Sequence, residues 1–231
     1  MLGLTTITEG EWKNKVREID ELGLNEIALF PTSLEYQERQ ELYQLLEKTK
    51  LQKIPFVHLR DDMQIEELDY LINQFGAEIF SVHSENDQYP STLDYKNYFS
   101  KIYVENTIIN TPTENDLKRY IGLCFDFAHW ESAVITEGKN GQTDARLKAF
   151  AEKYKIGVNH IGSIKPEKII YHDRNMNVDF FGYDSHLLDS LSELDYLKKY
   201  KNYLADIISI ELENTLKRQL DVKKYLEKII L

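Results

Sequence analysis

Ile102-Tyr103-Val104-Glu105-Asn106-Thr107-Ile108-Ile109-Asn110-Thr111-Pro112-Thr113-Glu114-Asn115-Asp116-Leu117-Lys118-Arg119-Tyr120-Ile121-Gly122-Leu123-Cys124-Phe125-Asp126 is the stretch that decides the fold. It opens on a short run of β-branched and aromatic residues that ends in an acid, Glu105. Thr111-Pro112-Thr113-Glu114 then supplies capping and initiating residues for a helix near 113–120. A second apolar run follows, Gly122 to Phe125, and it too ends in an acid, Asp126. Strand, helix and strand in about 25 residues read as one βαβ step with buried parallel strands.

The same step recurs in both directions. Apolar runs of strand length occupy 2–7, 26–30, 54–59, 79–83, 102–105, 122–126, 156–160 and 207–211. Pro55 stands at the start of its run, where a strand tolerates it. Between the runs, apolar residues fall at helical spacing. Ile65, Leu68, Leu71 and Ile72 do so ahead of a stop at Gly76. Leu187, Leu188, Leu191, Leu194 and Leu197 mark another helix, and Leu216, Leu220, Tyr225, Leu226 and Ile229 the last. Alternation of this kind allows an open doubly wound sheet or a closed barrel. The count of eight favours an α/β fold of the compact (β/α)8 TIM barrel type, one domain over 1–231. The longest connection, 161–186, follows the seventh strand. Within it, 168–172 and 178–183 flank Arg174-Asn175-Met176-Asn177, the pattern of a hairpin over the barrel mouth. Residues 137–142 are a second candidate lid.

Composition narrows the function classes. The chain has 231 residues, 28 Lys plus Arg against 39 Asp plus Glu, and a formal net charge of −11. That surplus weighs against general nucleic-acid affinity, which depends on cations neutralising phosphates. Aromatics at 12% and abundant Ile and Leu exclude a disordered chain. No window is apolar enough for a membrane span, and the first ten residues lack the basic start of a secretory signal. The single cysteine, Cys124, forms no internal disulfide framework and lies in an apolar run, so it reads as core filler in a reduced, cytoplasmic protein.

The functional signal is positional. Six of the eight runs end in, or just before, an ionisable residue: His58, His83, Glu105, Asp126, His160 and Glu211. Strand C-termini of a parallel barrel share one face, and that face carries the active site. His129 follows Asp126 by three, and Asp184 and His186 fall in the loop after strand seven. Each residue alone has a plain structural reading, as a hydrogen-bonded histidine or a charge complementing a helix dipole. Together they converge, and carboxylates that converge repel unless a cation joins them. Mixed carboxylate and imidazole donors suit Zn, Mn, Co or Fe rather than Ca. Gly138-Lys139-Asn140-Gly141 lacks phosphate-loop spacing, and Ser163 and Ser185 lack a nucleophile elbow. The Lys198 to Lys201 cluster reads as a solvated helix face.

Val104-Glu105-Asn106, Asp126-x-x-His129, Asn159-His160 and Ile210-Glu211 resemble the strand-end signatures of the xylose-isomerase-like barrels. That superfamily holds sugar isomerases and epimerases and the endonuclease IV type of abasic-site nuclease. The isomerase branch implies one divalent metal on Glu105, Asp126, His160 and Glu211. It also implies proton transfer by the two glutamates, a substrate contact from His129, and further substrate contacts from His58, His83 and Lys165. The expected partner is then a small sugar or polyol. The nuclease branch implies three zinc ions on nine ligands, the same four plus His58, His83, His129, Asp184 and His186. A barrel kept only as a binding module is the third option. Glu213-Asn214 mimics Glu105-Asn106, and period two would put Glu211 and Glu213 on one side of the strand, so the two compete for the last ligand position.

Overall fold

The computed structural model describes residues 1–8, 10–87, 94–173 and 178–230. Eight parallel strands form the barrel wall: β1 (Gly3–Thr5), β2 (Glu26–Phe30), β3 (Lys53–His58), β4 (Ile79–His83), β5 (Ile102–Glu105), β6 (Gly122–Asp126), β7 (Ile156–Ile161) and β10 (Ile207–Ile210). They stand side by side in chain order, β1 to β7 and then β10. Each coincides with one of the eight apolar runs. Two backbone hydrogen bonds bridge the seam between the last strand and the first. Met1 N donates to Ile208 O at 2.6 Å, and Ile210 N donates to Met1 O at 2.9 Å. Gly3 makes this approach possible, because a Cβ there would lie 2.0 Å from the Ile210 carbonyl oxygen.

The helices are α1 (Trp12–Leu22), α2 (Tyr36–Leu46), α3 (Ile65–Phe75), α4 (Glu114–Arg119), α5 (Phe127–Glu137), α6 (Thr143–Lys153) and α7 (Leu216–Ile229). Helix α3 ends at Gly76, whose φ of 63° is the left-handed stop its sequence announces. Helix α4 starts on Thr113, which accepts from Asp116 N while Asp116 answers the cap. Apolar side chains fall into two sets. A large shell lies between barrel and helices, and a small set, Ala28, Phe30, Phe56, Tyr103, Cys124 and Val158, fills the barrel interior.

Three connections depart from the simple pattern. Residues 163–185 form an antiparallel hairpin, β8 (Ser163–Asp173) with β9 (Val178–Ser185). Its expected turn, Arg174 to Asn177, lies outside the described residues. The leucine-rich helix expected from Leu187 begins instead at Leu191, after the Ser190 cap, and is a 3-10 helix through Tyr203. Its apolar residues explain this. Leu191, Leu194, Leu197, Tyr200 and Tyr203 recur every third residue, the period of a 3-10 helix. Residues 137–142, expected as a second lid, hold a short 3-10 turn, Gly138–Asn140, beside which the Glu137 carboxylate accepts from Thr143 N and holds its hydroxyl.

A buried ionic knot ties the loops after β2 and β3. Arg39 is fully buried. Its Nε and one terminal nitrogen donate to the two Glu67 oxygens at 2.9 and 2.8 Å, and the other nitrogen reaches Leu34 O at 2.9 Å and Asp62 at 3.0 Å. Tyr43 adds a hydroxyl to Glu67 at 3.1 Å. Among the described residues, no helix is long and apolar enough to cross a membrane.

Candidate metal centre

The strand register assembles the site. His83 lies opposite Glu105, Asp126 lies opposite His160, and Ser209 also pairs with His160, which leaves Glu211 one step higher. Period two then aims each strand-end residue into the mouth, above an interior residue two positions earlier. Glu105, Asp126, His160 and Glu211 are all buried, and each offers one ligand atom within 4.8 Å of the others. These are the four residues that the isomerase resemblance implies for one metal. His58, Glu105 and His160 form a second such group.

His160 sits at the centre. Its Nδ1 lies 3.2 Å from Glu105 Oε1 and 3.1 Å from Glu211 Oε2. Its ring packs against Phe30 and Phe56, with centroids 5.1 and 5.2 Å away. His58 places Nδ1 3.0 Å from Glu105 Oε2 and 2.6 Å from Ser81 Oγ. Beyond it stands His83, with ring centroids 5.0 Å apart, and Nδ1 of His83 is 3.4 Å from Asp87. On the opposite flank, Asp126 doubles as the N-cap of α5. Its carboxylate accepts from His129 N at 2.8 Å, which seats His129 directly above it. His129 Nδ1 is 3.1 Å from Asp184, and His186 Nδ1 is 3.8 Å from Glu211. The hairpin supplies Asp184, and His186 follows its last residue, Ser185. Its base is pinned by Ser163 Oγ donating to Ser185 O and Leu187 O, and by Tyr183 N donating to Ser132 Oγ on α5. All nine residues of the nuclease set thus form one continuous cluster.

Electrostatics follow from this crowding. Burial alone would raise Glu105, but His160 and His58 hold it well below the usual carboxylate range. Glu211, also buried, is drawn down to about 2 by His160 and His186. Asp126 goes the other way, pushed up to about 6 by burial and by Glu211 and Glu105, against the pull of His129. Burial opposes protonation of His129, yet Asp126 and Asp184 carry it up to about 10. Burial lowers His58. Glu105 Oε2, His160 Nδ1 and Glu211 Oε2 are buried and make no properly aligned hydrogen bond. Such atoms are costly in a folded protein unless something else satisfies them.

Two expected residues stand apart from the cluster. The Lys165 ammonium is held by Asp189 at 2.8 Å and Glu193 at 2.9 Å. Glu213 does not share a side with Glu211. Strand β10 ends at Ile210, so alternation lapses there. Glu213 turns instead to Ile7 N and Thr8 N, and to the buried Lys15 ammonium at 3.5 Å. Several supporting residues were not singled out from sequence: Ser81, Ser132, Phe30 and Phe56. Cys124 fills the barrel interior as expected, and its Sγ also lies 3.3 Å from His160 Nε2. Period two was the available signal for Ser81 and Cys124, which sit two residues before His83 and Asp126.

No family model and no curated protein sequence matches the chain. Among solved structures, it is similar to a D-tagatose 3-epimerase-like protein, with 17% identity over 99% of this chain and 97% of that one and a TM-score of 0.48. It is also similar to a xylose isomerase-like TIM barrel protein from Mycobacterium smegmatis in complex with magnesium, with 12% identity over 95% and 88% of the two chains and a TM-score of 0.44. A third is the apo form of 3-keto-D-glucoside 4-epimerase from E. coli, with 14% identity over 98% of each chain and a TM-score of 0.39.

Proposed function

We propose that this barrel is a metal-dependent sugar isomerase or epimerase. One observation carries the reading: two buried glutamates, Glu105 and Glu211, flank His160 Nδ1 within a four-residue ligand cluster. The residues fit a divalent metal. Three buried ligand atoms lack aligned hydrogen bonds, and three carboxylates with one imidazole suit Mn, Co or Zn. Glu105, Asp126, His160 and Glu211 would hold the ion, which when bound polarises a sugar carbonyl and its neighbouring hydroxyl and so acidifies the carbon-bound proton.

The protein's own groups do the rest. Glu211, kept ionised beside His160, takes a proton from one face of the substrate. Glu105, ionised by His160 and His58, serves the opposite face, so that return of the proton from the other side inverts the carbon. His129, protonated between Asp126 and Asp184, donates to a substrate oxygen. His58 and His83 line the remaining flank and contact hydroxyls. Lys165 is committed to Asp189 and Glu193, which favours a neutral sugar or polyol over a sugar phosphate.

The test is metal analysis of the purified protein followed by incubation with a panel of aldoses, ketoses and polyols in D2O. About one divalent ion per chain and deuterium entering the substrate carbon are expected, with Glu211→Gln slowing turnover by about 10²–10⁴-fold. Metal-loaded protein that exchanges no carbon-bound hydrogen across the panel defeats the proposal. A second reading, a zinc phosphodiesterase of the endonuclease IV kind, draws support from the continuity of all nine donors. It requires about three zinc ions per chain and nicking of abasic-site duplex DNA.

A further inference from the structure

We infer that Cys124 is a positioning residue that orients the His160 imidazole through a hydrogen bond to its sulfur. The inference rests on the reading of His160 as a metal ligand and adds the residue that sets its geometry. Strand β6 points Cys124 into the barrel two residues before Asp126, and β7 places His160 opposite Asp126. The imidazole leans back across the interior until Nε2 is 3.3 Å from Sγ. Both residues are completely buried. The ring makes edge-on and tilted contacts with Phe30 and Phe56, which accept no conventional hydrogen bond. Sγ is therefore the acceptor available to Nε2.

The consequence is a choice of tautomer. A cysteine sulfur is a weak acceptor, and this one lies 3.3 Å from Nε2. Nε2–H directed at Sγ leaves Nδ1 facing Glu105 and Glu211, where a bound metal would take its lone pair in place of a proton. Metal-binding histidines ordinarily secure this arrangement with a carboxylate or carbonyl on the other nitrogen. Here a sulfur fills that role, inside a barrel whose neighbouring interior residues are otherwise largely apolar.

Three variants separate orientation from packing. Cys124→Ser keeps an acceptor, Cys124→Val keeps bulk without one, and Cys124→Ala removes both without crowding the core. The first readout needs no metal: 15N-resolved NMR of His160 in chelator-treated protein. A slowly exchanging Nε2 proton is expected in the wild type and Cys124→Ser, and its loss is expected in Cys124→Val and Cys124→Ala. The second readout is zinc affinity by competition with a chromophoric chelator. Cys124→Ser should bind within about threefold of wild type, and the two non-accepting variants about 10–100-fold more weakly. If Cys124→Val fails to fold, Cys124→Ala carries the comparison. The inference is overturned if the non-accepting variants keep the Nε2 signal, or if Cys124→Val binds zinc as the wild type does while Cys124→Ser does not. A wild-type protein that takes up no metal would sink the proposed function instead, and the NMR comparison would still decide the role of Cys124.

Discussion

Arg39 offers the sharpest test of how the mouth is held together. Cys124 and the candidate metal donors lie at the site, whereas Arg39 acts on the loops behind it. Replacing Arg39 with Ala removes two hydrogen bonds to Glu67, one to Leu34 O and one to Asp62. Glu67 is 3% exposed and would be left with the Tyr43 hydroxyl and the Gln64 N–H, each at 3.1 Å, as its remaining donors. Stranding a buried charge in this way costs about 3–5 kcal/mol. In a chain of this length each kcal/mol moves the melting midpoint by about 2–4 °C. Arg39→Ala should therefore melt about 6–20 °C below the wild type. A paired replacement, Arg39→Met with Glu67→Leu, removes both charges and keeps the volume, so it should recover most of that loss. Differential scanning calorimetry of the three proteins decides it. If the single and paired variants melt together, or if Arg39→Ala melts within a degree or two of the wild type, the ion pair does not carry the stability assigned to it.

Two further outcomes follow from the geometry. Because Asp126 and Asp184 raise His129 from 6.5 to about 10, its folded form holds a proton that the unfolded chain releases, so that stabilisation is complete below pH 6.5 and fades as pH climbs through 10. In chelator, urea unfolding should show His129→Gln less stable than wild type at pH 6 and nearly equal to it above pH 10; a gap that does not shrink would contradict the assignment. Gly3→Ala would push a Cβ to 2.0 Å from Ile210 O and 3.0 Å from the Phe30 ring, opening the seam at a cost of about 1–3 kcal/mol or more, read as a lower urea midpoint with an unchanged slope.

Much of this architecture was legible in the residues because buried parallel strands carry short, predominantly apolar runs, and all eight barrel strands coincide with one. The donors were legible for a related reason: an ionisable residue closing an apolar run has few places to go except the open end of a barrel. Thr113 and Gly76 announced their helix ends through local chemistry. What local chemistry does not encode was missed. The choice between Glu211 and Glu213 depends on where β10 stops and on Lys15, which is distant in sequence. The 3-10 helix was hidden because Leu191, Leu194 and Leu197 satisfy a 3.6-residue period almost as well as a period of three, and only Tyr200 and Tyr203 settle it. Lys165 lies close to His160 in sequence, but Asp189 and Glu193 capture it.

The hairpin between β7 and the 3-10 helix makes the donor cluster modular. Seven of the nine clustered residues lie on the barrel strands, directly after β10, or in the first turn of α5, whereas Asp184 lies on the hairpin and His186 directly after it. Trimming that one excursion would strip the flank beside His129 without disturbing a single wall strand. The size of the donor cluster is thus set by one loop and not by the wall.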